Sequence, residues 1–428
     1  MAYHPDVSPL PWAEPFAAAL ALRHEPGLVL LESMPGFGNL GARSYLAAHP
    51  AEVATDGLGA LDRLGDGWWA GWLSYDLGRE VERLPDLGRD DLGLPPLALG
   101  RYEAWIEFDH ERRTAAIRGA ADAAHLARAL RDANQAPPVH APVAEWRTSL
   151  PRPDYEAAVQ RAIDYIRAGD VFQVNLSQRL SAEWGGDPFA LYGRLRRESP
   201  APYAALVRLG GADVISASPE RFLSRRGEAI ETRPIKGTRP RAADAAADRR
   251  LALALRSSAK DIAENVMIVD LARNDLGRVA RFGTVSVREL CALESHPGVH
   301  HLVSTVEART REGVSAADVI RATFPPGSVT GAPKVRALEI IEELEPVRRG
   351  PYCGAVGWFG PGDELELSVA IRTMIAARDA LHLHVGGAVT ADSDPAGEWQ
   401  ETMHKAARLL RAAGGTVVTG REALPLAS

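Results

Sequence analysis

Residues 154–177 read DYEAAVQRAIDYIRAGDVFQVNLS, and the reading of this stretch decides how the rest of the chain is parsed. Tyr155, Ala158, Val159, Ala162, Ile163 and Ile166 fall at the i, i+3, i+4, i+7 spacing of one helix face, and Gly169 supplies the stop. Beyond it the period changes to two. Phe172, Val174 and Leu176 alternate with Gln173, Asn175 and Ser177, so a strand here carries three uncharged polar groups on one face. Working outward, helical patterns recur at Asp261–Ala272, Ala332–Leu344 and Pro395–Ala413, and strand patterns near Tyr203–Arg208, Ala355–Phe359, Leu365–Met374 and Leu381–Val389. Toward the N-terminus, the short apolar runs Leu28–Leu31, Trp68–Tyr75 and Tyr102–Phe108 are separated by Gly, Pro and Asp, a strand-rich pattern. Pro137, Pro138, Pro142, Pro151 and Pro153 interrupt both kinds of pattern. The expected organisation is a strand-rich region over 1–135, a proline-rich linker over 136–153 and a catalytic region over 154–420.

The composition of the 428 residues, 46% apolar and 25% charged, is that of a globular protein with an extensive core. A net charge of -7 opposes nucleic acid and anionic lipid, so neither is expected as a partner. Only Cys291 and Cys353 are present, without metal-ligand spacing, which fits a reducing compartment. No leader-like N-terminus and no run of about 18 apolar residues is visible, so the expectation is a cytoplasmic protein. Positive charge is supplied by 45 arginines and only four lysines, Lys236, Lys260, Lys334 and Lys405. What a lysine offers and an arginine does not is a primary amine whose pKa shifts on burial.

Lys236 lies in Pro234-Ile235-Lys236-Gly237-Thr238-Arg239-Pro240-Arg241, between prolines that fix the backbone and beside a glycine that lets a ligand approach. It reads as a candidate nucleophile, its amine kept neutral by burial or by Arg233, Arg239 or Arg241, against the alternative of a solvated ammonium on a rigid turn. Glu220, in Ser218-Pro219-Glu220-Arg221-Phe222 between two strand-like segments, converges on the same cleft if these strands form a hairpin. The competing reading is a surface carboxylate paired to Arg221. Glu264 lies in one helix, while Glu398 and Glu401 stand at i and i+3 on the helix that Asp394 and Pro395 cap, opposite its apolar stripe. Such carboxylates suit either a solvated face or a hard divalent ion. His296, His300 and His301 do not share a face, so a hydrogen-bonding or acid/base role is expected rather than a metal. Gly386-Gly387, after the strand Leu381–Val385, offers amides to an anion.

Together these segments resemble the chorismate-utilising enzymes, the family of anthranilate synthase component I, aminodeoxychorismate synthase component I and the isochorismate and salicylate synthases. The resemblance covers about residues 150–415 and rests on DIAENVMIVDLARNDLGRV (261–279), VHHLVSTV (299–306), GSVTGAPKVRA (327–337), GPYCGAVGWFG (350–360) and DSDPAGEWQET (392–402), in family order. It implies an α+β fold of two large antiparallel β-sheets packed face to face with helices outside, built from interwoven parts of the chain. It also implies that Glu264 and Glu401, with Glu398, hold a magnesium ion (Mg2+) on the ring carboxylate of chorismate. Tyr352, Arg372 and the amides of Gly386 and Gly387 would take the second carboxylate, and Gly237, Thr238 and His301 would complete the pocket. Ala388 stands where the family usually has a third glycine.

Two positions separate the branches of the family. Relatives that add water at C2 carry a lysine base where this chain has Gln173, and an uncharged amide cannot activate water. Relatives that make anthranilate carry alanine in the PIxGT motif, whereas those that make aminodeoxychorismate carry lysine, here Lys236. The resemblance therefore implies amination of chorismate at C4, with Lys236 attacking C2, Glu220 as general acid and ammonia from a glutamine amidotransferase subunit. Anthranilate synthesis is the alternative, and a non-catalytic chorismate- or tryptophan-binding subunit a remote one. Glu32 and Ser33 of Leu30-Leu31-Glu32-Ser33, with Pro202 and Tyr203, lie where relatives bind tryptophan.

Overall fold

The computed structural model describes residues 9–10, 12–65, 67–119, 123–418 and 423–424. Two β-sheets form its centre, fourteen-stranded and ten-stranded among the described residues. Almost all neighbours are antiparallel. In the larger sheet Val29–Glu32, Tyr203–Leu209, Ala212–Ser218, Thr373–Ala377, Ala380–Val389 and Gln173–Glu183 lie side by side in that order. The smaller sheet runs through Ile235–Pro240, Val299–Arg309, Ala229–Arg233, Arg221–Arg226, Leu365–Val369, Ala355–Phe359 and Trp68–Leu73.

Period-two alternation explains why these strands are buried on both faces. Of Tyr203–Leu209, Ala205, Val207 and Leu209 meet Trp68, Ala70, Trp72, Val356 and Trp358 of the other sheet, while Ala204 and Leu206 face a second core under the helices. Trp69 and Leu73 point the opposite way from Trp68 and Trp72, into a third core against other helices. The layers are therefore helix, sheet, sheet, helix, the α+β architecture implied by the motifs. Trp72 is fully buried at the sheet-sheet contact, and its replacement by alanine would cost about 3–5 kcal/mol.

The elements read from periodicity are present with shifted ends. The helix of the opening stretch spans Arg152–Ala168 and stops at Gly169, which adopts φ 87°. The last helix spans Pro395–Ala413, with Asp394 accepting from the Gly397 N–H. The run Tyr102–Phe108 is split, its first residue closing the strand Leu97–Tyr102 of the smaller sheet and the rest lying in Ala104–Asp109 of the larger. Three further readings need correction. The expected strand Leu365–Met374 is two strands, Leu365–Val369 in the smaller sheet and Thr373–Ala377 in the larger, broken at Arg372 with φ 51°. Ser218-Pro219-Glu220 likewise is not the turn of a hairpin but another crossing between sheets; the hairpin is Arg221–Arg226 with Ala229–Arg233. Gly386 and Gly387 lie inside the strand Ala380–Val389, paired with Ser177 and Leu176, rather than in a turn after it. Residues 136–153 include the strand Glu145–Thr148, which pairs with Gln173–Glu183 and buries Trp146, and strands preceding residue 135 enter both sheets.

The crossings at Glu220 and Arg372 are stitched together. Ala217 N–H donates to Arg372 O, Val369 N–H to Glu220 O, and the Ser218 hydroxyl to Val369 O. Glu220 and Arg372 are thereby fixed at the seam between the sheets.

Candidate active site

Glu220 is buried, and its carboxyl accepts from the Ser328 side chain and the Ile235 backbone. Burial, only partly offset by these bonds and by Lys236 and Arg372, pushes its pKa up to about 7. It is not paired to Arg221, which engages Glu231 and Glu366. The Arg221↔Arg233 register of the hairpin returns the chain to Ile235–Pro240, the strand that carries Lys236. Lys236 is 9% exposed, and burial lowers its pKa, with Lys405 adding to the effect and Glu264, Glu220 and Glu401 opposing it. Arg233, Arg239 and Arg241, expected to help, are paired with Glu294, Asp261 and Asp248. Gly237 has φ 85°, and a Cβ there would lie 2.9 Å from both Asp261 Cβ and Leu255 Cδ1. Only glycine fits beside this lysine.

Thr238 Oγ1 lies 3.0 Å from His301 Nδ1, and the buried Nε2 of His301 has no partner. Burial, reinforced by Arg372, pulls this imidazole down to about 3, so it is neutral. The other two histidines go elsewhere: His300 Nε2 lies 3.0 Å from Asp248 and His296 Nε2 3.0 Å from Glu294. Burial also lowers Arg372, to about 10, with Arg408 pushing the same way and Glu220 opposing. Tyr352 is buried and stacks on His384, centroids 5.0 Å apart. Gln173 is fully buried with both amide atoms unpartnered.

The carboxylates flank the same strand. A Cβ on Gly387 would stand 2.9 Å from Glu398 Oε2, 3.6 Å from Glu401 Oε1 and 3.8 Å from Lys405 Nζ. Of the two readings of Glu398, a solvated face or a ligand to a divalent ion, the solvated face does not hold: it is 5% exposed, with Ser393 donating to one carboxylate oxygen and the other oxygen unpartnered. Burial raises the pKa of Glu398 and of Glu264. Glu401 is held below the usual carboxylate range by Lys405, 2.7 Å away, despite its burial. No group of three or more His, Cys, Asp or Glu side chains is gathered at ligand spacing among the described residues. The donor chemistry nonetheless suits magnesium, which takes a few carboxylate oxygens plus water and an anionic substrate, and one buried oxygen stands free.

Glu220, Lys236, Gly237, Thr238, Glu264, His301, Arg372, Gly387, Glu398 and Glu401 thus form one connected neighbourhood, with Gly386 joined through its carbonyl to Lys405. Glu32, Ser33, Pro202 and Tyr203 do not belong to it. They line a separate cavity of about 590 Å3, whose walls include Trp68, Trp105 and Trp358. The carboxylate of Glu32 is engaged by Arg196 and Tyr192, and Ser33 Oγ donates to Pro202 O at 2.9 Å. Ser328 and Lys405 were not singled out as site residues by the motifs, although the scarcity of lysine was a signal for the second.

A chorismate binding enzyme family model matches residues 40–411, and the chain belongs to that family. Curated relatives carry two different names. Aminodeoxychorismate synthase component 1 of Salmonella typhimurium is 44% identical over 79% of this chain and 75% of its own length. Anthranilate synthase component 1 1 of Haloarcula marismortui is 40% identical over 93% and 90%. Among solved structures, anthranilate synthase component I from Streptococcus pneumoniae superposes with a TM-score of 0.73 at 30% identity, covering 96% of this chain and 93% of that one. The menaquinone-specific isochorismate synthase MenF of Escherichia coli, at 18% identity and a TM-score of 0.77 over 96% and 94%, shares the fold. No helix among the described residues is long and apolar enough to cross a membrane.

Proposed function

We propose that this protein is the chorismate-aminating component of an aminodeoxychorismate synthase, forming 4-amino-4-deoxychorismate for p-aminobenzoate and folate synthesis. Overall identity does not separate the two kinds of relative, so the reading rests on Lys236. Its burial, with a lowered pKa, beside a Glu220 whose pKa is raised is the observation that carries it. A neutral amine and a protonated acid are the forms needed for attack and for leaving-group protonation. Lys236 Nζ attacks C2 of chorismate, the ring double bonds shift, and the C4 hydroxyl departs as water with the proton of Glu220. Ammonia then attacks C4, the double bonds shift back, and the C2–N bond to Lys236 breaks. The proton lost by the incoming nitrogen restores Glu220.

Glu264, Glu398 and Glu401 would hold magnesium, which offsets the charge of the ring carboxylate. Arg372, Tyr352 and the strand around Gly386 and Gly387 would orient the second carboxylate, and neutral His301 would exchange a hydrogen bond with the substrate through its unpartnered nitrogen. Gln173 is an amide where water addition would need a base, which weighs against isochorismate formation. Ammonia comes from a glutamine amidotransferase partner. Cys353 is buried with its thiol pushed up to about 12, and burial raises Cys291 as well, so neither suits a glutaminase nucleophile. The aromatic cavity lined by Glu32, Ser33, Pro202 and Tyr203 is proposed to take tryptophan. Product identification from chorismate, magnesium and ammonium is the test: aminodeoxychorismate is expected, and anthranilate or isochorismate as the main product would overturn the reading.

A further inference from the structure

Three of the four lysines of the chain converge on the carboxylate neighbourhood. Lys405 Nζ is 2.7 Å from Glu401 Oε1 and 3.0 Å from Gly386 O. Lys260 Nζ is 3.9 Å from Glu264 Oε1 and lies in electrostatic range of Glu398 and Glu401, and Lys236 faces Glu264 and Glu401 from the strand side. Two ammonium groups and the buried amine of Lys236 thus stand against three carboxylates in a protein that almost everywhere else uses arginine for positive charge. The three differ in access. Lys236 is buried, whereas the side chains of Lys260 and Lys405 are 55% and 49% exposed, so two of them can swing into water without leaving the helices that carry them. An arginine would grip a carboxylate through two parallel bonds; an ammonium is a single point charge on a flexible stem and releases more easily. Glu398 adds an independent sign of a ligand, since its Oε2 is buried among these groups without a partner.

We infer that Lys260 and Lys405 are exchangeable counter-cations, which neutralise Glu264 and Glu401 until a divalent ion takes their place and pushes them outward. The inference rests on the magnesium reading above and goes beyond it by assigning two residues that set how tightly and how selectively the ion is held. A monovalent ammonium pair raises the threshold for metal entry and keeps the carboxylates from collapsing onto the buried amine of Lys236.

Binding of Mn2+, a paramagnetic stand-in for magnesium, to the full-length protein without chorismate tests this through the relaxation of water protons. The double variant K260M/K405M should bind Mn2+ about tenfold more tightly than the unaltered chain at low ionic strength, and the gap should shrink in high salt. K260R/K405R keeps both charges and should show no tightening. Both positions are exposed, and a melting curve for each variant checks that it folds. Unchanged or weaker Mn2+ binding in K260M/K405M, with Glu401→Gln still weakening it, would overturn the lysine inference and leave the metal reading standing. Unaltered binding in Glu401→Gln would overturn the metal reading itself.

Discussion

The peptide bond between Glu220 and Arg221 joins two places of opposite character. Glu220 belongs to the candidate active site and Arg221 lines the 590 Å3 aromatic cavity. In the cavity every arginine has an answering carboxylate: Arg43 has Glu107, Arg221 has Glu231 and Glu366, and Arg226 has Glu366. At the candidate active site polar groups are left wanting, with His301 Nε2 and Glu398 Oε2 buried and unpartnered. Folded proteins seldom tolerate such atoms unless a ligand or ordered water completes them. The cavity too has unpartnered atoms, Tyr203 Oη and Trp358 Nε1, but they are neutral donors on a wall whose charges are paired, which suits holding a molecule unchanged; a crowded patch that includes an unpartnered carboxylate oxygen suits changing one.

The sharpest break of that contrast is Lys236→Ala, which should lower aminodeoxychorismate formation by about a thousandfold or more while leaving the cavity intact. A trace of anthranilate is the expected residue of activity, and product chromatography reads both. Intact-mass analysis without ammonia should find a chorismate-derived adduct on Lys236 in the unaltered protein and none in the variant. Next in size is Glu220→Gln, expected to cost about a hundred- to ten-thousandfold in kcat/KM. Because the pKa of Glu220 is raised to about 7, its acid form is lost as pH rises through that value, so kcat/KM at constant free ammonia should fall on the alkaline side. That limb should vanish in the Gln variant; its persistence would assign the titration to another group.

A smaller effect is expected of Gly387→Ala, whose methyl group would crowd Glu398 Oε2 at 2.9 Å. The required magnesium concentration should rise by about tenfold, with kcat at saturating metal changed less. The smallest effect belongs to the other side of the comparison. Ser33→Ala removes the hydrogen bond to Pro202 O and should cost about 1 kcal/mol in denaturant titration, with turnover unaltered. If it abolished turnover instead, the two places would not be separate.

The sequence groups the candidate site residues more legibly than it does the sheets. Lys236, Gly237 and Thr238 are neighbours in one motif, and Glu398 and Glu401 are one helical turn apart, so local spacing already groups them. Periodicity placed the helix at 395–413 for the same reason. It missed the crossings at Glu220 and Arg372, and another at Glu103 between Leu97–Tyr102 of the smaller sheet and Ala104–Asp109 of the larger, because alternation runs on through Val369 to Thr373 while the backbone, at Arg372, changes the sheet it pairs with. Sheet membership is decided by partners far away in the chain and leaves no mark on a ten-residue window. The burial of Glu398 was hidden likewise, since its cover is the strand at Gly387 and not its own helix.

The pairing of Val174 with Val389 sets an order of events during synthesis. A ribosome adding roughly 5–20 residues per second needs on the order of 10–40 s to bridge that gap, far longer than the microseconds in which a hairpin closes. Over that interval the strand Gln173–Glu183 has a bare edge where its principal neighbour belongs, and Val29–Glu32 waits in the same way for Tyr203–Leu209. A nascent chain of this protein is therefore a sheet with open sides until almost its last helix has emerged. Truncation near residue 370 should yield an aggregating fragment rather than a smaller folded one.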